Sequence, residues 1–502
     1  MHSTLQKIMY VNSLKILSIS MSLVVAVIFL ITPVQVISSE GGNQYNVLFI
    51  AIDDLRPELG CYGVETAQSP HLDQFASTGL LFDRHYVQVA TCGASRYALL
   101  TGRSPASSGV TRSNSAAYAG PTAFKQKQQA GAQTLPELFR RSGYQTCCIG
   151  KISHTADGRV FEYNGKGDGR DELPNAWDEL ATPFGPWKRG WGIFFAYANG
   201  RNRESGQGDK DLMEFIVEND DDLPDGLMAQ TASEKLKEYA SQEKPFFLGL
   251  GFFKPHLPFV ATKQDWDAFA ETDFKTEGYD KTDSRYWHKS GEFYKYNAPF
   301  EKTQPLSPEA IGTSRRAYYA CVRYVDRQVG RVLKTLEESG LADNTIVVIW
   351  GDHGWHLGEQ QIWGKHSPLE RANRSVLMMR IPGETVPGKT TQALTETIDL
   401  YPTLVDYCQP EFQKTDAPLD GRSLRPIISE EATQVREAAL SYWGNAITIR
   451  TDQYRMIVES NKQGVNTNRV ELYDLSEELD ANKNIADQHP EVVEQLFKYL
   501  PE

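Results

Sequence analysis

The chain has 502 residues, 40% hydrophobic and 23% charged, a balance that excludes a disordered polymer and fits one large α/β domain with a smaller companion. Its net charge of −13, without any long Lys/Arg cluster, excludes a nucleic-acid partner, which needs a basic face. Such an acidic protein can hold an anionic ligand only where the site supplies its own cations.

Lys7 and Lys15 lead into an apolar run over residues 16–31, followed by Pro33, Ser38 and Ser39. That order reads as a secretory signal peptide over residues 1–39, and the run is short for a bilayer span. The chain is then periplasmic or secreted, with no stable membrane association once the signal is cleaved. A catalytic domain is expected over 42–435 and a small C-terminal subdomain over 436–502. The cysteines, Cys61, Cys92, Cys147, Cys148, Cys321 and Cys408, are too few and too irregularly spaced for a disulfide scaffold. Cys147 and Cys148 read as core. Cys92, in a polar loop between Thr91 and Gly93, is the one whose context is chemical.

Residues 45–52 read as a buried strand ending at Asp53-Asp54, followed by a helix near 72–77. A short helix over 134–142 leads through Gly143 into a strand over 144–149, which ends at Gly150-Lys151. Residues 229–240 read as a helix and 245–253 as a buried strand ending at Lys254-Pro255-His256. A long helix over 308–339 stops at Gly340. A strand over 345–350 ends at Gly351-Asp352-His353, and a helix covers 396–407. Helices alternating with wholly apolar strands predict an α/β fold built on a large, mostly parallel sheet covered on both faces. Two stretches without periodicity, 157–223 and 262–301, are rich in Gly, Asp, Trp and Tyr and read as walls of a pocket. From about Ser441 the pattern changes to short strands at 446–450, 455–459 and 470–473 with a helix at 490–499, a small antiparallel sheet.

Four buried strands thus end in Asp53-Asp54, Lys151 with His154, Lys254 with His256, and Asp352-His353. Open α/β sheets bind ligands at the carboxyl ends of their strands, so these groups can share one site. Asp53, Asp54, Asp352 and His353 form an oxygen-rich set that favours Ca2+ over zinc. Arg96, four residues after Cys92, can hold an oxyanion, and a cysteine at a helix start suits a nucleophile. His356 and His366 are even candidates for pocket walls, whereas His71, His85 and His288 read as structural or surface groups. Asn373-Arg374-Ser375 matches a glycosylation acceptor by chance.

The stretch Cys92-Gly93-Ala94-Ser95-Arg96 with Leu100-Thr101-Gly102 resembles the signature of the type I, formylglycine-dependent sulfatase family. Asn46 to Asp54, Ser69-Pro70-His71-Leu72-Asp73 through Phe82, and Glu471-Leu472-Tyr473-Asp474-Leu475 resemble other family segments. Gly150-Lys151-Ile152-Ser153-His154, the run from Phe253 to Phe259, and Asp352-His353-Gly354-Trp355-His356 through Trp363-Gly364-Lys365 resemble the iduronate-2-sulfatase branch.

The resemblance implies an alkaline-phosphatase-like fold and hydrolysis of a sulfated saccharide. It also implies conversion of Cys92 to 3-oxoalanine (formylglycine) by a formylglycine-generating maturation enzyme, with residue 92 then among the calcium ligands. The hydrated aldehyde would attack sulfur, with Arg96, Lys151 and Lys365 holding oxygens, His256 protonating the leaving oxygen and His154 accepting a proton to expel sulfate. Lys254 would add to the pocket cations. Position 94 departs from the family pattern, carrying Ala where Pro is usual. A phosphate or phosphonate ester hydrolase, or a sulfated-glycan binder with unconverted Cys92, are the alternatives.

Overall fold

The computed structural model describes residues 44–161, 167–204, 209–276, 280–461 and 464–501. The signal-peptide assignment, 1–39, lies outside the described residues. Among them no helix is long and apolar enough to cross a membrane.

The run NVLFIAI forms β1 (Asn46–Ile52), buried along its whole length. Its side chains alternate between two cores. Leu48, Ile50 and Ile52 enter one apolar cluster, and Val47, Phe49 and Ala51 enter the other, as the two-residue period of a strand requires. A strand apolar on both sides belongs at the centre of a covered sheet. Around it lie β2 (Leu80–Phe82), β3 (Gln145–Gly150), β4 (Glu179–Leu180), β5 (Phe246–Phe252), β6 (Thr345–Gly351), β7 (Leu377–Arg380) and β8 (Lys389–Thr391). The sheet order is β8-β2-β7-β6-β1-β5-β3-β4. The strands β3, β5, β1 and β6 are parallel neighbours, while β7 runs antiparallel to both β6 and β2.

Register fixes where the chemistry falls. Ile52 stands opposite both Phe252 and Gly351, and Gly150 opposite Gly251. The four parallel strands therefore end level, and the residues that follow them emerge at one edge.

Helices cover both faces. On one lie α1 (Pro70–Thr78), α4 (Pro224–Tyr239) and the 31-residue α5 (Pro308–Glu338). On the other lie α2 (Cys92–Thr101), α3 (Leu135–Arg141) and α6 (Leu400–Cys408). The start of α5 is set by Pro308 at its first position and by Ser307, whose Oγ accepts from Ala310 N at 3.2 Å. Helix α4 begins at Pro224, earlier than the expected residue 229. Gly226, its third residue, sits where a Cβ would lie 2.1 Å from the Asp220 carbonyl oxygen, so a close approach demands glycine. Helix α6 starts at Leu400, later than residue 396, because a short 3₁₀ turn, Thr397–Asp399, precedes it.

The C-terminal segment forms the antiparallel sheet β9 (Ala439–Trp443), β10 (Ala446–Arg450), β11 (Tyr454–Asn461) and β12 (Gly464–Asp474), followed by α7 (Pro490–Leu496). Strand β9 was not foreseen, and β12 is longer than the expected 470–473. The sheet is tied to the main body by Tyr442 N donating to Gln88 O (2.7 Å) and Ser441 Oγ to Val87 O (2.6 Å). No disulfide joins any of the six cysteines, and Cys147 and Cys148 are buried.

Candidate active site

The edge where β1, β3, β5 and β6 end carries the polar residues of the sequence reading. Asp53 N donates to Phe252 O and Asp352 N to Ile52 O, both at 3.2 Å, so ladder bonds hold both carboxylate-bearing residues. The chain then turns at Asp54, whose φ of 62° lies in the left-handed region. Such backbone costs a non-glycine residue about 1 kcal/mol or more and persists only where the surroundings enforce it. Here Asp54 N donates to Asp352 Oδ1 (3.0 Å) and the Tyr318 hydroxyl donates to Asp54 O (2.8 Å).

Cys92 is not in a loop but is the first residue of α2. The polar, glycine-containing run conceals the helix from composition alone. Asn114 Oδ1 accepts from Gly93 N at 2.8 Å, and a Cβ at position 93 would lie 2.3 Å from Asn114 O, so only glycine fits. Arg96, fully buried, anchors α2 across the strand ends: its Nε donates to Asp352 Oδ2 (3.0 Å), and its guanidinium donates to the carbonyls of Lys151 and Ile152.

These anchors bring the Cys92 sulfur to 3.3 Å from Asp53 Oδ1, 3.3 Å from His353 Nε2 and 3.4 Å from Lys365 Nζ. Lys151 Nζ lies 2.5 Å from Asp53 Oδ2, and Lys365 Nζ 2.7 Å from Asp54 Oδ1. His353 Nδ1 faces Gly354 O at 3.0 Å, which assigns the proton there and leaves the Nε2 lone pair among the carboxylate oxygens, where only a cation can meet both.

The donor set fits a hard divalent cation. Atoms of Asp53, Cys92, Asp352 and His353 lie within 4.8 Å of one another, and those of Asp54, Cys92 and His256 form a second, overlapping group. Asp54 Oδ2 is buried without a hydrogen-bond partner. Burial pushes the Asp54 carboxyl up to about 7 against the pull of Lys365. A buried carboxylate whose pKa burial raises, with one oxygen unpartnered, is a position shaped for a cation. Asp53 is the opposite case: despite its burial, the Lys151 ammonium holds it well below the usual carboxylate range. Burial and the Asp53 charge push the Cys92 thiol well above its ordinary value.

Above this floor opens a cavity of about 470 Å³. Cys92, Lys151, His154, His256 and Lys365 line its base. His256 Nδ1 lies 2.6 Å from Leu257 O, leaving Nε2 toward Asp54 Oδ2 (3.9 Å) and Glu292 Oε1 (3.5 Å). Burial, reinforced by Lys365, lowers His256 to about 4. Burial and Lys151 likewise hold His154 well below the usual imidazole range. Both rings are therefore neutral at pH 7 in the free site.

Both irregular stretches supply the walls. Trp191, Phe194, Phe195, Arg203 and Lys210 come from the first, and Glu292, Lys295 and Tyr296 from the second. Sequence reasoning named the stretches but not these residues. Glu292 was missed although it lies within 3.9 Å of Lys365, His366 and His256, since a lone Glu in a polar insertion carries no signal. His366 does line the cavity, whereas His356 is buried elsewhere against Ser367 Oγ (3.2 Å). Lys254 is not a pocket cation: its Nζ is spent on the carbonyls of His256 (3.0 Å) and Pro258 (2.6 Å), bracing the loop that carries His256. His85 is held between Thr395 and Thr397, and His288 bonds Lys365 O. Asn373 is buried and donates to Leu369 O, so the folded chain offers no glycan acceptor there.

The Sulfatase family profile matches residues 45–409, a span that holds both the metal-type cluster and the Cys92 helix. The chain belongs to the sulfatase family. A second profile, N-sulphoglucosamine sulphohydrolase, C-terminal, matches residues 358–502 and so includes the antiparallel sheet. Iduronate 2-sulfatase of Mus musculus is 29% identical over 408 residues, covering 72% of this chain and 68% of the relative. A sulfatase of Formosa agariphila is 30% identical over 436 residues, 83% of this chain and 79% of the relative. Among solved structures, a phosphonate monoester hydrolase from Silicibacter pomeroyi superposes with a TM-score of 0.69 at 22% identity, covering 91% of this chain and 94% of that one. This sulfatase therefore shares its whole fold with a protein named for a different ester chemistry.

Proposed function

We propose that this chain hydrolyses a sulfate ester of an anionic saccharide, as an exported enzyme of the iduronate-2-sulfatase type. The observation that carries the reading is the position of Cys92, at the cavity floor and within 3.4 Å of Asp53, His353 and Lys365. Asp53, Asp54, Asp352 and His353, with residue 92, would hold a calcium ion. That ion would supply Lewis acidity and charge to the sulfate oxygens, and formylglycine formed from Cys92 by a maturation enzyme would supply the nucleophile.

Charge supports this assignment. Asp53, Asp54, Asp352 and Glu292 face three fixed cations, Arg96, Lys151 and Lys365. A divalent cation turns that slightly negative balance positive, the sign an anionic ester needs. Burial keeps an unconverted thiol protonated, which makes it a poor nucleophile.

Lys365 reaches both the residue-92 side chain and Asp54, and Lys151 holds Asp53, so the two ammonium groups frame residue 92 and would meet sulfate oxygens. Arg96 fixes α2 and Asp352. His154, neutral and with Nδ1 unpartnered, is ready to accept a proton at the cavity floor. His256 starts neutral. An arriving sulfate anion raises its pKa, and Nε2, already turned into the cavity, is then the atom that delivers a proton to the leaving sugar oxygen.

Phosphate or phosphonate ester hydrolysis is the second reading, favoured by the fold shared with the phosphonate monoester hydrolase. Matched aryl sulfate, phosphate and phosphonate esters separate the two, read alongside the mass of the Cys92 peptide from protein made in its natural host. Sulfate turnover together with sulfur replaced by a carbonyl oxygen supports the proposal. A plain thiol without sulfate turnover defeats it and leaves a glycan-binding protein.

A further inference from the structure

The cavity is larger than a sulfate group needs and charged where the sulfate does not reach. Its lining includes five cationic side chains, Lys151, Arg203, Lys210, Lys295 and Lys365, against one carboxylate, Glu292. In a chain of net charge −13 this lining carries a local excess of positive charge above the floor carboxylates. Lys151 and Lys365 are committed to the floor through Asp53 and Asp54. The other three sit on the walls.

Pairing between the two irregular insertions assembles these wall cations. Leu212 N donates to Asn297 O (2.8 Å) and Asn297 N to Lys210 O (2.6 Å), around a bridge between Asp211 and Asn297. That bridge sets Lys210 beside the segment bearing Lys295 and Tyr296. Arg203 joins them by donating to the Tyr296 hydroxyl (2.8 Å), its guanidinium stacked 3.2 Å above the Phe195 ring. Arg203 is thus held in place, its Nε also donating to Glu204 Oε1 (3.1 Å), while Lys210 and Lys295 are exposed and pair with no carboxylate among the described residues. Between wall and floor stand Trp191, Phe194 and Phe195, rings of the kind that pack against the apolar face of a sugar.

We propose that Arg203, Lys210 and Lys295 form a subsite for a second anionic group of the same substrate, a carboxylate or a further sulfate on the saccharide. This rests on the sulfate-ester reading above, because it takes the floor as the place of the scissile sulfate. The subsite acts through binding: charge-assisted hydrogen bonds from planar Arg203 and the two mobile ammonium groups orient the sugar so that its ester meets the floor.

The test compares the wild type with the Lys210→Gln/Lys295→Gln double variant, and separately with Arg203→Gln. The probes are a monosulfated neutral hexose, a monosulfated hexuronate and a disulfated hexosamine. In the wild type, kcat/KM favours one or both doubly anionic probes. In the double variant that preference falls roughly ten-fold, through KM, as loss of such contacts requires. A fall with the hexuronate assigns the subsite to a carboxylate, and a fall with the disulfated sugar assigns it to a sulfate. An unchanged preference for both in both variants overturns the subsite. Should the wild type hydrolyse none of the probes, the sulfate-ester reading fails by itself. The subsite is then judged by calorimetry with free hexuronate, and binding equal in wild type and double variant overturns it.

Discussion

Three buried carboxylates and a histidine converge beneath the cavity, so if they hold the proposed calcium its removal should be felt by the whole fold. A ligand that binds only the native state adds RT ln(1 + [L]/Kd), about 2.7 kcal/mol at 100 times Kd. Unfolding entropy of roughly 2.1 cal/mol/K per residue gives a chain of this length about 1 kcal/mol/K, so saturation to that level raises Tm by about 3 °C. Asp54→Asn keeps the shape of the side chain but removes one charged donor from the cluster, including the oxygen that has no protein partner. A loss of roughly 100-fold in affinity brings the same calcium concentration to about Kd, where the gain shrinks to about 0.4 kcal/mol, under half a degree. The assay is thermal unfolding in EDTA and across a calcium titration, for wild type, Asp54→Asn and Asp352→Asn. An identical calcium-induced rise in all three would place the ion elsewhere and refute the assignment.

Gly93→Ala drives a Cβ to 2.3 Å from Asn114 O and 2.4 Å from its Cα, backbone atoms that cannot swing aside. It should cost about 1–3 kcal/mol by urea denaturation, and a neutral substitution would contradict the close approach. Ala94 is the third residue of α2, where an amide has no helical acceptor, so Ala94→Pro should leave Tm within a few degrees of wild type. Restoring the usual family residue should also raise the fraction of Cys92 converted by an oxygen-dependent maturation system, read from peptide mass. Asp225 accepts from Phe253 N (2.6 Å) and Lys254 N (3.4 Å), and burial pushes it up to about 6. Its folded pKa exceeds its unfolded one, so this contribution is intact below about pH 4 and is lost as pH rises through 6, by roughly 3 kcal/mol at most. Asp225→Asn should therefore gain stability relative to wild type between pH 4.5 and 7, and parallel pH profiles would show that the carboxyl titrates normally.

What was legible in the chain follows from the range of the interactions involved. Strands such as 46–52 and 345–351 declare themselves by continuous apolar sequence, and parallel register carries Asp53, Lys151, Lys254 and Asp352 to one edge. Their convergence follows from topology, and so reading the strand ends was enough to gather the floor. Short edge strands such as Glu179–Leu180 exist only through their partners and leave no local pattern. The same holds for the left-handed turn at Asp54, which Asp352 and Tyr318 impose from roughly three hundred and two hundred and sixty residues away. Lys254 shows the limit from the other side: a lysine beside a catalytic-type histidine reads as a cation for the ligand, yet the fold turns it onto backbone carbonyls. The cavity walls depend on links between two insertions, among them Asp211 with Asn297 and Arg203 with Tyr296, that no periodicity announces. Residues at strand ends are placed by the sheet itself, whereas the charges on the cavity walls sit on segments whose pairing is made only in three dimensions.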